Sequence, residues 1–567
     1  MVITDPFDGN EYVVVNDPAK LKEIYEENKT NIWVGFNSNN YDRYIMSAIL
    51  CDFDPYDVSK WIIDLKKPGF TYSRLFKKIQ FITFDCMVGY HGLKSLEAFM
   101  GESIHESSVD FTIDRKLTTL EISETIEYCR ADVYNTMKVF AARKGEFNGY
   151  LALIKLFKLP LHCLGMTKAQ LVALILDAQK TVHNDEFDIQ FPPTLQVNKY
   201  TEVLDFYTKN WDYDKGNFWI KVCDVWHSFG TGGVHGAEGT VLRTNRKGET
   251  VIDKRRSYPI VVKGNILHID VASYYPSLNI EYPELTLSRN VPDPTKVRKM
   301  RDERLQFKAE GKADEAYGLK IAINAIGGAT KLKSSKLYDP RQNNNMCIGG
   351  QVLLLDLLEK LEGHIRLLQS NTDGIILQYT DRENVVNICR EWEARTGMAL
   401  EYHDCDKLYQ GDVNNYVLVF SNGKVEAKGA YVKDLNPLDY NLAIVNKAVR
   451  AALIDGTPIE QTVWSSNNLM DFMMVVKLAS DFTQVIHNGK PLHGKYFRVF
   501  ASLDGNDGEI GRVREMGDNP EKFANTPTSC FVENGKIVDS AIPTKLDRQW
   551  YIDEARKRLK EKFGVEM

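Results

Sequence analysis

Two aspartates lie at the ends of predicted strands, where their carboxylates could take part in chemistry. Asp270 ends the apolar segment IVVKGNILHID and precedes a turn at Ser273 and Pro276, which holds its carboxylate at a strand terminus. Asp373 lies in QSNTDGIIL, at the tip of a predicted apolar β-hairpin. An ordinary hairpin turn is the other interpretation of Asp373, since Asn, Thr, Asp and Gly all favour turns.

Cations on two neighbouring predicted helices offer a second kind of chemistry. Lys320 and Asn324 are four residues apart and therefore share one helix face. The preceding helix carries Arg298, Arg301, Arg304 and Lys308. Such cations can cradle a triphosphate, and a solvated charged face is the alternative for either helix alone.

Strands and helices must position these groups, and the hydrophobic periodicity predicts them. Residues 260–270 are expected to form a hairpin that ends in Asp270. Thr118 and Glu121 have the spacing of a capping box at the start of a helix. Further predicted elements are strands at 11–18, 32–37, 79–85 and 371–379 and helices at 168–180, 294–311, 313–325, 351–363 and 442–454.

Composition limits the class of protein. The 567 residues suffice for three or four domains, and 43% hydrophobic with 26% charged residues is ordinary globular composition. Net charge is −6, yet residues 241–340 hold 19 basic and 12 acidic residues, the local pattern of a polyanion-binding segment. Nine scattered cysteines predict neither a zinc site nor a disulfide framework. No apolar run approaches membrane-spanning length, so a soluble protein of a reducing compartment is expected.

The order of the three chemical strings resembles motifs A, B and C of the family B DNA polymerases. Those motifs are D-x-x-S-L-Y-P-S, K-x-x-x-N-S-x-Y-G and Y-x-D-T-D-S. The matching residues are Asp270, Ser273, Tyr275, Pro276, Ser277, Lys320, Asn324, Gly328, Thr372 and Asp373. Departures are Tyr274, Ala325, Gly327, Asn371 and Gly374. The NTDG variant of motif C looks like that of small bacteriophage polymerases.

The resemblance implies roles for these residues. Asp270 and Asp373 would be the catalytic carboxylates and would hold two Mg²⁺ ions, with Mn²⁺ as an alternative. Tyr275 would lie under the sugar and exclude a 2′-hydroxyl, and a core aromatic is its alternative. The nucleotide-binding set would be Tyr275, Arg304, Lys308, Lys320 and Asn324.

Two further segments extend the resemblance. TGGVHGA resembles the family's Tyr-x-Gly-Gly region, so Gly232 and Gly233 would let backbone amides approach template phosphates. A flexible glycine loop is the alternative. Tyr416 and Lys428 resemble the palm segment that grips the primer duplex, although Asn414 and Asn415 replace its usual lysine pair.

The N-terminal region resembles the 3′–5′ exonuclease of the same polymerases. GFNSNNYD supplies Asn37 and Asp42, and YCRAD supplies Tyr128 and Asp132 at helical i, i+4 spacing. The Asp-x-Glu strand expected upstream of Asn37 is missing, so either the reading frame is truncated or the element is naturally absent. We therefore expect proofreading to be weak or lost.

The predicted fold class is α/β and α+β multidomain, with an RNase H-like exonuclease-type domain and a right-hand polymerase of palm, fingers and thumb. The predicted domains are exonuclease-like 1–145, connecting and template-binding 146–250, palm 251–293 and 329–435, fingers 294–328, and thumb or C-terminal region 436–567.

The resemblance implies a template-directed DNA polymerase of bacteriophage genome replication, located in the cytoplasm of the infected bacterial cell. Primer-template DNA and deoxynucleoside triphosphates are its expected partners, with replisome proteins as further candidates; no membrane partner is expected, and the protein is expected to be a monomer. The alternatives are a catalytically silent replisome DNA-binding protein and a 3′–5′ exonuclease.

Overall fold

The computed structural model describes residues 1–87, 89, 91–110, 113, 115–209, 211–515 and 517–567. The chain divides into two compact units. Unit 1 comprises Met1–Gly165, Leu435–Ile444 and Val463–Ile552, and unit 2 comprises Met166–Asp434, Val445–Thr462 and Asp553–Met567. The predicted mixed α/β multidomain architecture is confirmed. The finer partition into exonuclease, palm, fingers and thumb stays a prediction.

The helices of the described residues are numbered α1 to α17 in chain order. They are Pro18–Asn28, Asp42–Leu50, Pro55–Ile63, Leu93–Phe99, Thr119–Ala142, Lys144–Leu156, Lys168–Ile175, Thr201–Thr208, Tyr274–Glu281, Pro283–Thr286, Thr295–Ala309, Ala313–Lys331, Pro340–Leu361, Arg382–Thr396, Ala443–Asp455, Ile459–Ser465 and Arg548–Phe563.

The strands of the same residues are numbered β1 to β22. They are Val2–Thr4, Glu11–Val13, Ile32–Gly35, Ile82–Asp85, Phe218–Val222, Val225–Phe229, His235–Ala237, Leu242–Thr244, Thr250–Ile252, Ile260–Val271, Ile365–Asn371, Gly374–Tyr379, Leu400–Asp412, Asn415–Phe420, Val425–Lys428, Met474–Lys477, Gln484–His487, Lys490–Leu492, Tyr496–Ala501, Ile510–Val513, Glu521–Lys522 and Cys530–Val532.

Unit 2 is built on a nine-stranded sheet of order β15-β14-β13-β10-β12-β11-β7-β6-β5. Leu and Val side chains of α13 and Trp392 of α14 join the strand residues Leu267, Ile375 and Leu377 in one buried core. Burial of these apolar side chains is the main force that holds the helices on the sheet. The same packing orients the ends of β10 and β11, where the two predicted aspartates lie.

Helix α13 begins at Pro340 rather than at the predicted Gln351. The asparagines at 343–345 are poor helix formers and hid this start in the sequence. In the fold, Asn343 and Asn344 donate to the carbonyls of Gly327 and Glu186. Asn345 accepts from the backbone of Gln190. Tertiary hydrogen bonds therefore compensate for the low helix propensity.

The hairpin predicted over 260–270 is wrong. These residues form the single strand β10, which pairs with β13 on both sides of an irregularity between Lys263 and Ile266. Gly264 and Asn265, which looked like a hairpin turn, have φ of 73° and 53° and form a bulge instead. The long strand still ends beside Asp270, as the apolar pattern predicted.

Unit 1 contains the parallel pair β3 and β4, the long helix α5, and two antiparallel sheets of order β16-β19-β22 and β18-β17-β20-β21. The predicted capping box of α5 is confirmed, with Thr118 and Glu121 bonding reciprocally. The strand predicted at 11–18 stops at Val13, because Asp17 caps α1. Nowhere among the described residues is there a helix both long enough and apolar enough to cross a bilayer.

Candidate active site

The two predicted aspartates meet at one end of the unit 2 sheet. Antiparallel pairing of β10 with β12 sets Asp270 opposite Gly374, directly after Asp373. The backbone N–H of Val271 donates to the carbonyl of Asp373 at 2.8 Å. Residues that are far apart in the chain thus form one acidic pair.

Asp270 has a buried histidine as its neighbour. His268 lies two positions earlier on β10, and so on the same face of the strand. Its Nε2 is 3.3 Å from Oδ1 of Asp270. Burial raises the pKa of the Asp270 carboxyl, but the hydrogen bond from His268 and nearby positive charges outweigh it and hold the pKa below its usual value. Asp270 therefore stays ionised at neutral pH.

Asp373 sits in a tight turn, with its side chain only partly in contact with solvent. Burial, and then the charge of Asp270, raises the pKa of the Asp373 carboxyl. This coupling of like charges is the electrostatic mark of a site that a cation would stabilise. Asn371, at the place of the family's first motif C aspartate, donates its side-chain amide to the carbonyl of Val413 at 3.2 Å. It supports the turn.

Three of the predicted nucleotide-binding cations line one cavity. Arg304 and Lys308 of α11 and Lys320 of α12 border a space of about 290 Å³, together with Tyr317 and small residues of the turn. Across the part of the chain that the structure describes, none of the three cations has an acidic partner within ion-pair distance. Asn324, one turn beyond Lys320, is exposed and is not among the residues that line this cavity.

Helix α9 connects the cationic helices to the acidic pair. It starts at Tyr274, four residues after Asp270, and both α11 and α12 pack against it. Tyr275 stacks on Tyr274, with ring centroids 6.1 Å apart and 14° between the ring planes. Burial, and then the neighbouring Cys347 and Asp373, raises the pKa of the Tyr275 hydroxyl. The predicted sugar-contacting ring therefore lies within electrostatic range of the acidic pair.

The predicted glycine segment packs beside the same turn. A Cβ at Gly233 would lie 2.3 Å from Oγ1 of Thr372, so no side chain fits there. The amide of Gln351 donates to the carbonyl of Gly232 at 2.7 Å. Gly232 itself is exposed and faces open space. Gly233 thus has a packing reason to be glycine, and Gly232 keeps an accessible backbone.

Tyr416 and Lys428 are cross-strand partners on β14 and β15. Both contact Glu426: the Tyr416 hydroxyl donates to it at 2.7 Å, and the ammonium of Lys428 lies 2.8 Å from it. Burial lowers the pKa of the Lys428 ammonium, but its bonds to Glu426 and Tyr416 raise it more, so the group stays charged. Its charge lowers the pKa of both Asp270 and Asp373.

A comparison with known proteins gives a sequence match to a DNA polymerase. Over 143 residues the chain is 24% identical to DNA polymerase 1 of Saccharolobus solfataricus, an alignment that covers 25% of this chain and 16% of that protein. The chain is weakly homologous to a DNA polymerase. No family model matches the sequence. A structure of the family B DNA polymerase from Pyrobaculum calidifontis aligns with 99% of this chain and 74% of its own, at 12% identity and a TM-score of 0.41.

The acidic pair suits a hard divalent cation that substrate helps to hold. Within the described residues, no three His, Cys, Asp or Glu side chains lie close enough together to form a metal site by themselves. Mg²⁺ commonly binds one or two carboxylates and completes its shell with water and substrate phosphates. Two adjacent carboxylates that repel each other, in the same unit as a cationic cavity, match that requirement.

In unit 1 the structure brings the predicted exonuclease residues near one another. Asp42 begins α2, and burial, with the charges of Asp85 and Asp132, raises the pKa of its carboxyl. The Asp85 carboxylate accepts from the backbone N–H of Asn37 at 2.8 Å, which fixes the loop before Asp42. Tyr128 and Asp132 lie about one turn apart on α5, as their i, i+4 spacing predicted.

A lysine that sequence reasoning missed contacts two residues of this second cluster, Tyr128 and Asp132. The ammonium of Lys94 is 2.5 Å from Asp132, 3.0 Å from Glu97 and 4.5 Å above the ring of Tyr128. Glu97 is fully buried, and this burial raises its pKa to about 7. Lys94 therefore neutralises a carboxylate that the exonuclease resemblance assigns to metal binding.

His268, Gly374 and Glu426 complete the set that sequence reasoning missed. A strand alternation argument could have found His268, since it precedes Asp270 by two residues. In the sequence, Gly374 stands out only as a departure from motif C. Nothing local in the sequence singles out Glu426, whose partners come from two strands.

Proposed function

We propose that this chain is a template-directed DNA polymerase, which adds deoxynucleotides to a primer 3′-hydroxyl by phosphoryl transfer. The observation that carries the proposal is the pairing of β10 with β12, which sets Asp270 beside Asp373 in the same unit as the cationic cavity. The weak homology to a DNA polymerase supports the same assignment.

Each group has a role in the proposed reaction. Asp270 and Asp373 hold two Mg²⁺ ions, or Mn²⁺, which when bound supply Lewis-acid stabilisation to the primer oxygen and the phosphates. Arg304, Lys308 and Lys320 bind the triphosphate. Tyr275 lies against the sugar. Asn324, one helix turn beyond Lys320, supports the nucleotide from outside the cavity lining.

Nucleic acid is held by backbone contacts that do not depend on sequence. The open backbone at Gly232 faces template phosphates, Gly233 packs against the turn at Thr372, and Tyr416 with Lys428 supports the primer strand. Proofreading is weak in this proposal, because the ammonium of Lys94 already pairs with Asp132. The resemblance of the NTDG turn to that of small bacteriophage polymerases favours a bacteriophage enzyme. In this proposal it acts as a monomer in the cytoplasm of an infected bacterium, with replisome proteins as further partners.

Primer extension on a defined template with Mg²⁺ and four deoxynucleotides tests the proposal. Wild-type protein is expected to extend the primer, and Asp270→Asn or Asp373→Asn to lose about 1,000-fold or more of the rate. Asp406→Asn is the matched control, an aspartate of β13 with its side chain exposed. Folded wild-type protein that binds primer-template but never extends it, with either metal, would overturn the proposal in favour of a silent DNA-binding protein.

A separate degradation assay tests the prediction of weak proofreading. Single-stranded DNA with a labelled 5′ end should stay intact during incubation with wild-type protein and Mg²⁺. Rapid 3′–5′ degradation that Asp42→Ala abolishes would contradict it and would favour the exonuclease alternative.

A further inference from the structure

Between β7 and β10, unit 2 carries a small hairpin, none of whose residues has an individual role in the proposed reaction. Among the described residues, strands β8 and β9 form a two-stranded sheet of their own, and a second turn follows β9. Residues 242–256, here named the basic hairpin, contain two acidic residues and six basic ones. The basic residues are Arg243, Arg246, Lys247, Lys254, Arg255 and Arg256, and all six are exposed.

The two acidic residues of the basic hairpin are used inside it. Asp253 is 9% exposed, and its carboxylate accepts from the backbone N–H of Arg255 at 3.0 Å. Glu249 accepts from the side-chain amide of Asn245 at 2.7 Å. Arg256 approaches Asp253 only to 3.8 Å and keeps 79% of its side chain exposed. The hairpin therefore presents uncompensated positive charge to solvent.

Local hydrogen bonds hold the two turns that display the cations. Oδ1 of Asn245 accepts from the backbone N–H groups of Lys247 and Glu249 at 2.9 and 3.0 Å. At the base, the N–H of Asp253 donates to Val241 at 2.7 Å. A ligand that binds these cations would not have to order the backbone, which lowers the entropic cost of binding.

The hairpin is attached to the strand that ends in the acidic pair. Its outgoing arm leads into β10 at Ile260, ten residues before Asp270, or roughly 30 Å along the strand. That length corresponds to about nine base pairs at 3.4 Å of rise each. The cations are strung along two turns rather than converging on one point, so a line of phosphates suits them better than a single phosphate group.

We propose that the basic hairpin binds the phosphate backbone of the nucleic-acid duplex, away from the acidic pair. The choice of nucleic acid as the polyanion rests on the proposed polymerase function. Binding is sequence-independent and salt-sensitive, since it replaces condensed counterions with Lys and Arg side chains.

The test compares duplex binding by three full-length variants with wild type, by fluorescence anisotropy of a labelled primer-template between 50 and 200 mM salt. The first variant replaces Arg246, Lys247, Arg255 and Arg256 with Gln. It should bind at least tenfold more weakly near 100 mM salt, and the slope of log K against log salt should fall by about two to four. The rate of nucleotide addition at saturating DNA should be unchanged.

Two variants serve as controls. Replacing the exposed unit 1 residues Lys116, Lys144, Lys155 and Lys158 with Gln removes the same charge elsewhere and should leave the slope within about half a unit. Arg246→Lys with Arg255→Lys and Arg256→Lys keeps the charge and should keep the binding.

Duplex affinity and salt slope equal to wild type in the first variant would overturn this inference. The same loss in the unit 1 control would also overturn it, because the effect would then follow net charge. Neither result touches the polymerase proposal, which fails only if wild-type protein cannot extend a primer.

Discussion

The carboxylate of Asp270 fills the space in front of Gly374. A Cβ built on Gly374 would lie 2.3 Å from Oδ1 of Asp270 and 3.4 Å from Nε2 of His268. The position where the related motif has serine is therefore open here, and the carboxylate uses that opening to reach His268. Gly374, a departure from the family pattern, and His268 are thus parts of one arrangement.

Gly374→Ser should displace the Asp270 carboxylate and lower the rate of nucleotide addition about 10- to 100-fold, since a misplacement near 1 Å costs that much. Single-turnover primer extension measures the effect. Gly145→Ala is the control, because a methyl group there meets no atom within 4 Å. A serine variant as fast as wild type would show that Asp270 does not depend on this space.

Lys320→Ala should raise KM for the incoming deoxynucleotide about tenfold or more, because a hydrogen bond between charged groups contributes about 1.5–3 kcal/mol. Steady-state primer extension with varied nucleotide concentration measures it. Lys312→Ala changes a neighbouring lysine that pairs with Glu310 and does not line the cavity, and KM should move less than twofold. Equal effects of the two substitutions would remove the cavity from the nucleotide site.

Lys94→Met should destabilise unit 1 by about 3–5 kcal/mol, because it leaves the buried carboxylate of Glu97 and the partly buried one of Asp132 without their cation. Urea unfolding at pH 8 measures the change. Adding Glu97→Gln and Asp132→Asn to the same chain should recover most of it, since the uncompensated charges are then gone. No recovery would mean that Lys94 contributes through packing alone.

His227 makes the stability of unit 2 depend on pH. Burial lowers its pKa to about 4, and its ordinary value is 6.5. Between these values the unfolded chain binds the proton that the folded one excludes, so the stability of unit 2 falls as the pH drops from 6.5 to 4. The full loss of unfolding free energy is about 3 kcal/mol, because each unit of pKa difference contributes about 1.36 kcal/mol.

His227→Phe removes this titration. The variant should show a flatter dependence of unfolding free energy on pH than wild type, measured by urea denaturation from pH 4.5 to 7.5. Parallel curves for the two proteins would contradict the assignment to His227.

The sequence by itself determined the local features of this protein. The i, i+4 spacing placed Lys320 on one helix face with Asn324, and Thr118 capped its helix as expected. The strand end at Asp270 and the turn at Asp373 also followed from local patterns. These predictions succeeded because periodicity, capping and turn preference act over a few residues. The same reasoning failed at Gly264 and Asn265, because a bulge and a hairpin turn favour the same residues.

Only the tertiary structure decided which residues meet. The register of β10 on β12 sets Asp270 beside Asp373, and a slip of one residue would have turned Asp270 to the other face of the sheet. Packing of α4 on α5 likewise brings Lys94 to Asp132, a pair with no sequence signal. Long-range contacts depend on strand register and core packing, which no short segment contains, and they determine both the acidic pair and the lysine that fills the second cluster.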